Sequence, residues 1–306
     1  METNSFLEFL DQRIQYLNKS KRFGTAYNYR RAKTSLMKYL RGADLPFHCV
    51  DSGFVDRYSD WLLEIGNVRN SVSFHMRVLR ATYNKGVKQG LVDQTYPFRD
   101  VYTGVDKTRK RCISKEILRK IIKLDLHDHP QLEMARDIYL FSIYARGISF
   151  IDIAYLKKTS IEGDTIVYRR KKTKQLLCIR IEKQLKGMIK KYIEISGDSP
   201  YLFPIIKETE PAETYRLYLC ALSHYNSCLK KLSEKLSLPY PLTSYTARHT
   251  WASLAKCMDI PVSVISESMG HTSESTTRIY LASLDNTVID KANRKVLKLL
   301  DSLVSN

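Results

Sequence analysis

Glycine and proline are scarce, 12 and 9 residues in 306, and follow no period, which excludes a collagen-like fibre and a low-complexity linker chain. No apolar run approaches the roughly 20 residues that a membrane-spanning helix needs; the longest are short pieces such as Ile138 to Phe141. Met1 to Phe9 carries Glu2 and Glu8 and lacks a basic stretch ahead of an apolar core, so no secretory leader and no membrane partner are expected, and the expected location is cytoplasmic. The six cysteines, Cys49, Cys112, Cys178, Cys220, Cys228 and Cys257, form no CxxC pair, which argues against a disulfide framework and a structural zinc site. Acidic residues are also in deficit, 32 against 50 lysines and arginines, leaving a net charge of +18. That imbalance calls for a polyanionic partner, nucleic acid ahead of an acidic membrane surface.

What is present is enough apolar material, 43% of residues, to fill real cores, and a length that favours two domains. Residues 1–104 read as a small helical domain. Ser5 and Glu8 make a capping-box pattern ahead of Leu7, Leu10, Ile14 and Leu17, and further helical patterns cover Thr25 to Leu40, Gly53 to Ile65 and Asn70 to Lys88, with Gly90 placed to end the last. Residues 105–113, with Lys107 to Arg111 at their centre, form a basic stretch without apolar period and read as a linker. In residues 114–306, helical patterns surround two period-two segments, Thr165 to Arg170 and Leu176 to Ile181, that predict a small β-hairpin. The fold class expected is therefore mainly α with a small β-hairpin or sheet. Residues 1–100 carry +6 and the remainder +12, so both parts can touch the same polyanion.

The stretch from Thr243 to Tyr280 carries the most chemistry. On a helix starting at Ser244, Ala247, Trp251, Leu254, Ala255 and Met258 share an apolar face, while Tyr245 and Arg248 fall one turn apart on what reads as a polar face. Further on come Met269, Gly270 and His271, then Thr276, Thr277 and, nine residues after the histidine, Tyr280. Tyr245, Thr246, Ala247, Arg248 and His249, then Met269-Gly270-His271, then Tyr280 resemble the carboxy-terminal signature of the tyrosine recombinases, the phage-integrase-like site-specific DNA recombinases. The resemblance spans nearly the whole chain. Residues 1–104 resemble the family's SAM-like core-binding domain and residues 114–306 its catalytic domain, with a last amphipathic helix from about Val288 to Leu303. Tyr168 to Thr173 and Ser244 to Ala252 look particularly similar to integrases and invertases of Bacteroides-type mobile elements.

The resemblance implies that Tyr280 attacks a DNA phosphodiester to give a 3′-phosphotyrosyl link, which a second strand's 5′-hydroxyl then reverses, without metal or other cofactor. It implies that Lys172, before Thr173 in the hairpin, protonates the leaving 5′-oxygen. Arginines suit such a site because they stay ionised and meet two phosphate oxygens at once. The resemblance also implies double-stranded DNA as partner, a homotetramer on synapsed DNA, exchange of the last helix between protomers, and room for accessory DNA-bending proteins in integration, excision or inversion.

Two positions depart from the pattern. Tyr245 stands where the family has a histidine, which moves proton duty towards His271. Gly147 to Asp152 puts Ser149 where the first arginine belongs. Arg170, two residues before Lys172, and Arg146, three before Ser149, are the two candidates for the missing guanidinium, with the alternation of a strand favouring Arg170. The competing function is a site-specific DNA binder or accessory protein that no longer cuts; a type IB-like topoisomerase would share the tyrosine chemistry without site choice.

Overall fold

A computed structural model describes residues 4–106, 113–281, 293–294 and 297, with main chain alone at 279 and 280. The basic run Lys107 to Arg111 and the expected helix from Val288 to Leu303 fall outside these residues or are described only at isolated positions. The chain divides into two compact units, Met1–Thr108 and Arg109–Asn306.

The first unit contains helices α1 (Phe6–Lys19), α2 (Phe23–Tyr39), α3 (Ser52–Glu64) and α4 (Arg69–Lys88). The starts of α1 and α3 are written in short side chains: Ser5 Oγ accepts the Glu8 N–H at 3.1 Å, and Asp51 Oδ1 accepts the Phe54 N–H at 2.6 Å. The core is aromatic. Phe47, on a short 3-10 turn between α2 and α3, meets the edges of Phe6 and Phe9 with ring centroids 5.2 and 5.4 Å away. On its other side the Phe47 ring presses on Gly86 of α4, where a β-carbon would stand 2.4 Å from Cε1. Gly90, with φ +74°, ends that helix as its pattern predicted. Beyond it, residues 102–106 lie back on α4: Ser73 Oγ donates to the Gly104 carbonyl at 2.5 Å, Asn70 bonds both main-chain groups of Asp106, and the Arg69 guanidinium stacks 3.8 Å from the Tyr102 ring centre.

The second unit runs α5 (Lys115–Lys123), α6 (Pro130–Tyr144), α7 (Phe150–Ala154), β1 (Ile161–Glu162), β2 (Thr165–Arg169), β3 (Leu176–Arg180), α8 (Lys183–Ser196), α9 (Pro211–Lys235), α10 (Ser244–Cys257), α11 (Val262–Ser268) and α12 (Glu274–Leu281). Helix α6 is its axis: Leu132, Ala135, Ile138, Tyr139, Leu140, Phe141 and Ile143 are all buried, and the helix packs on α8, α9 and α10. Its buried Asp137 is satisfied by Arg136, Lys191 and the Tyr192 hydroxyl. The expected hairpin is a three-stranded antiparallel sheet in the order β1-β2-β3. The extra strand, β1, is two residues long, too short to show a period. Ile166 and Tyr168 of β2, opposite Ile179 and Leu177 of β3, face the core. No helix among the described residues is long and apolar enough to cross a membrane.

Two glycines give opposite expectations for urea unfolding. Gly86→Ala drives a methyl into a buried ring and is expected to destabilise by about 1–3 kcal/mol. Gly187→Ala, on α8 with nothing within 4 Å of the added carbon, is expected to stabilise by up to about 1 kcal/mol.

Candidate active site

Two helix ends make the site. Helix α11 stops with Gly270 in the left-handed region at φ +63°, and the chain folds back so that the Gly270 N–H donates to the Glu267 carbonyl at 2.9 Å and the His271 N–H to the Ser266 carbonyl at 3.0 Å. This closed C-terminus is what a glycine just past a helix is for. Helix α6 stops the same way with Arg146 at φ +56°, and the Gly147 N–H donates to the Ser142 carbonyl at 2.8 Å. Both ends leave main-chain carbonyls directed at the space between them, where the negative ends of helix dipoles favour cations.

Arg248, on α10, fills that space. It is 3% exposed. Its Nη1 donates to the Gly147 carbonyl, and its Nη2 to the Met269 carbonyl at 2.5 Å. Gly147 lacks a side chain because the Arg248 stem occupies its place: a β-carbon would stand 3.2 Å from Arg248 Cγ and 3.3 Å from its Cα. The same Nη2 lies 3.1 Å from Nε2 of buried His271, whose Nδ1 lies 2.8 Å from the Thr277 hydroxyl.

Arg170 enters from the sheet. Its N–H still bonds the Gln175 carbonyl at 2.9 Å, so its side chain keeps the inward register of Ile166 and Tyr168 and is 6% exposed. Nη1 donates to the Gly270 carbonyl at 2.5 Å. Two guanidiniums are therefore held on carbonyls of consecutive residues, Met269 and Gly270. Asp152, 3% exposed, supports Arg170 from behind. Its Oδ2 accepts the Ser149 hydroxyl at 2.6 Å and stands 3.9 Å from Arg170 Nε, while Oδ1 accepts the Lys171 N–H at 2.7 Å. Burial, and then Asp152, push the buried Tyr168 phenol well above its ordinary pKa against the fields of Arg248, Arg170 and Arg146, so it stays neutral.

The remaining sequence candidates fall around this cluster. Lys172 is exposed in the turn after β2; the strand ends at Arg169, so its direction follows from a five-residue turn closed by the Lys174 N–H on the Arg170 carbonyl at 2.8 Å, not from strand alternation. Lys171 turns away and stacks its ammonium 3.9 Å from the Tyr155 ring centre. Arg146 is only partly buried and donates to the Cys178 carbonyl at 3.3 Å. Tyr280 belongs to α12, three positions beyond Thr277. The polar face read for Tyr245 and Arg248 is corrected: Arg248 is in the core of the site, whereas Tyr245 is 60% exposed and lies against His249 with ring centres 6.3 Å apart. A solvent-like face misled because the guanidinium is solvated by carbonyls instead of water. The proposed apolar face is corrected at its end too, since Met258 is 73% exposed.

Sequence reasoning missed Asp152 and Thr277. For Asp152 a signal existed, since Ser149 and Asp152 stand in a capping spacing. For Thr277 there was none.

Burial first, then the charges of Arg248, Arg170 and Lys172, lower the His271 pKa from 6.5 to about 4. A base depressed in the fold takes up its proton in the unfolded chain first, so the contribution of His271 to stability is flat above about pH 6.5 and falls towards pH 4, by at most about 1.4 kcal/mol per pH unit. Urea unfolding at pH 7.5 and pH 5 is expected to show this loss in the parent and a smaller one in His271→Gln.

Residues 5–101 match the phage integrase SAM-like domain, and residues 114–287 match the phage integrase family. Tyrosine recombinase XerA of Thermococcus kodakarensis is 25% identical over 240 residues, covering 74% of this chain and 81% of the relative. The fold is similar to that of the Tn1549 transposon integrase in complex with a circular intermediate DNA, with TM-score 0.68, 14% identity, and 95% of this chain and 100% of that chain covered. It is also similar to a lambda integrase tetramer bound to a Holliday junction, with TM-score 0.62, 15% identity, and 89% and 79% covered. The chain belongs to the phage integrase family and is a tyrosine recombinase.

Proposed function

We propose that this protein cuts and rejoins DNA at specific sites with Tyr280 as nucleophile and with Arg248 and Arg170 as the two guanidiniums that hold the phosphate. The observation that carries the reading is the pair of buried arginines fixed on the adjacent carbonyls of Met269 and Gly270. Among the described residues the cluster sets Arg170, Arg248 and Lys172 against Asp152 alone, and an entering phosphodiester supplies the missing negative charge.

In the forward step Tyr280 Oη bonds to phosphorus as the bond from phosphorus to the 5′-oxygen breaks. The phenolic proton passes to His271 Nε2, whose proton affinity rises once anionic phosphate offsets the arginines. Lys172 Nζ gives a proton to the leaving oxygen; its exposed turn lets it reach a backbone outside the cluster. One phosphoester replaces another, so the 5′-hydroxyl of a second strand can reverse the step without an energy source. Arg170 takes the part of the first arginine, supported by its burial and by Asp152, while the partly buried Arg146 serves the rim. Tyr245, exposed at the start of α10, donates its phenol to a neighbouring phosphate.

The assembly consistent with this chemistry is a tetramer on two duplexes, as in the lambda integrase bound to a Holliday junction. The likeness of Tyr168 to Thr173 and Ser244 to Ala252 to Bacteroides-type enzymes favours mobile-element DNA in the cytoplasm as the substrate, integrated, excised or inverted with or without DNA-bending partners.

A nicked suicide substrate carrying the site tests this. The parent is expected to give a covalent protein–DNA band and Tyr280→Phe none; a parent without adduct would make the chain a DNA-binding protein only. Arg170→Ala is expected to slow adduct formation about 10²–10³-fold, the cost of losing one charge-stabilising donor, with Arg146→Ala within about tenfold of the parent. The reverse order would assign the first arginine to Arg146. Binding to the duplex site is expected to weaken with a log–log salt slope of about 0.9 per phosphate contacted.

A further inference from the structure

His271 has two ring nitrogens and two described neighbours that constrain them differently. Arginine carries donors only, so the nitrogen 3.1 Å from Arg248 Nη2, Nε2, has to offer its lone pair. A neutral ring then carries its proton on Nδ1, and that N–H donates to Thr277 Oγ1 at 2.8 Å. The ring is neutral near pH 7 because burial and three cations depress its proton affinity. Thr277 is fully buried and sits on α12, the helix that carries Tyr280. The hydroxyl that decides which nitrogen faces the arginines thus belongs to the nucleophile's own helix.

We propose that Thr277 is a positioning residue: acting through His271, its hydroxyl holds the Nδ1–H tautomer that presents the Nε2 lone pair to the reacting groups, and it makes seating of α12 and orientation of the histidine a single event. The proposal rests on the reading of Tyr280 and His271 given above. Without the hydroxyl, Nδ1–H loses its acceptor and the ring can move its proton to Nε2, where it opposes the Arg248 N–H. A buried threonine that merely packs would leave the tautomer unchanged when replaced by valine, which has nearly the same shape.

The test uses the full chain with 15N-labelled histidine at pH 7.5. Long-range 1H–15N correlation distinguishes protonated from lone-pair ring nitrogens, and His271→Gln identifies the His271 signals. The parent is expected to show Nδ1 protonated and Nε2 not. Thr277→Val is expected to lose this pattern and to form the covalent adduct about 10- to 100-fold more slowly, in line with the loss of a buried hydrogen bond to a ring-orienting partner, with duplex binding retained. Thr277→Ser is expected to restore both. A parent with Nε2–H overturns the proposal outright, even if the valine variant does not fold. A folded Thr277→Val with the parent's tautomer and rate also overturns it. If the parent makes no adduct, the tautomer comparison still decides the role of Thr277, while the nucleophile reading fails separately.

Discussion

Everything in the catalytic unit is arranged around the solvation of Arg248 by main-chain carbonyls. A buried guanidinium without acceptors would cost several kcal/mol. Here the closed ends of α6 and α11 supply the carbonyls of Gly147 and Met269, and α10 delivers the arginine between them. The next carbonyl, that of Gly270, fixes Arg170. Neutral dipoles hold Arg248, and Asp152 is the only carboxylate facing Arg170 among the described residues, so net positive charge survives in a site largely closed to water. That is the condition under which a phosphate is both attracted and polarised.

Much of this was legible in the sequence because its cause is local. The helices follow apolar periods and short capping side chains. The order of Met269, Gly270 and His271 ahead of Tyr280, nine residues after the histidine, stands in the sequence itself. The rest depends on contacts between distant segments. Whether Arg170 or Arg146 approaches Arg248 turns on one strand's register and one left-handed turn, and two equally basic residues look alike until those are known. Tyr245 and Arg248, one turn apart, read as one polar face; the carbonyls that bury Arg248 come from residues roughly 20 and 100 positions away, while Tyr245 stays exposed.

Ser149 illustrates how a departure from a family pattern can be absorbed. Its hydroxyl bonds Asp152, and Asp152 also faces Arg170 and caps the Lys171 N–H. The loop that lacks the arginine instead braces the strand end that carries Arg170.

Because the groups gripping both arginines are peptide oxygens, every amino acid at those positions would present the same acceptor. The grip is therefore blind to most substitutions of its own contacts and is vulnerable only where a side chain alters the path of the backbone, chiefly at Gly147 and Gly270. Mutational drift can rewrite the surrounding surface while the held pair of guanidiniums persists.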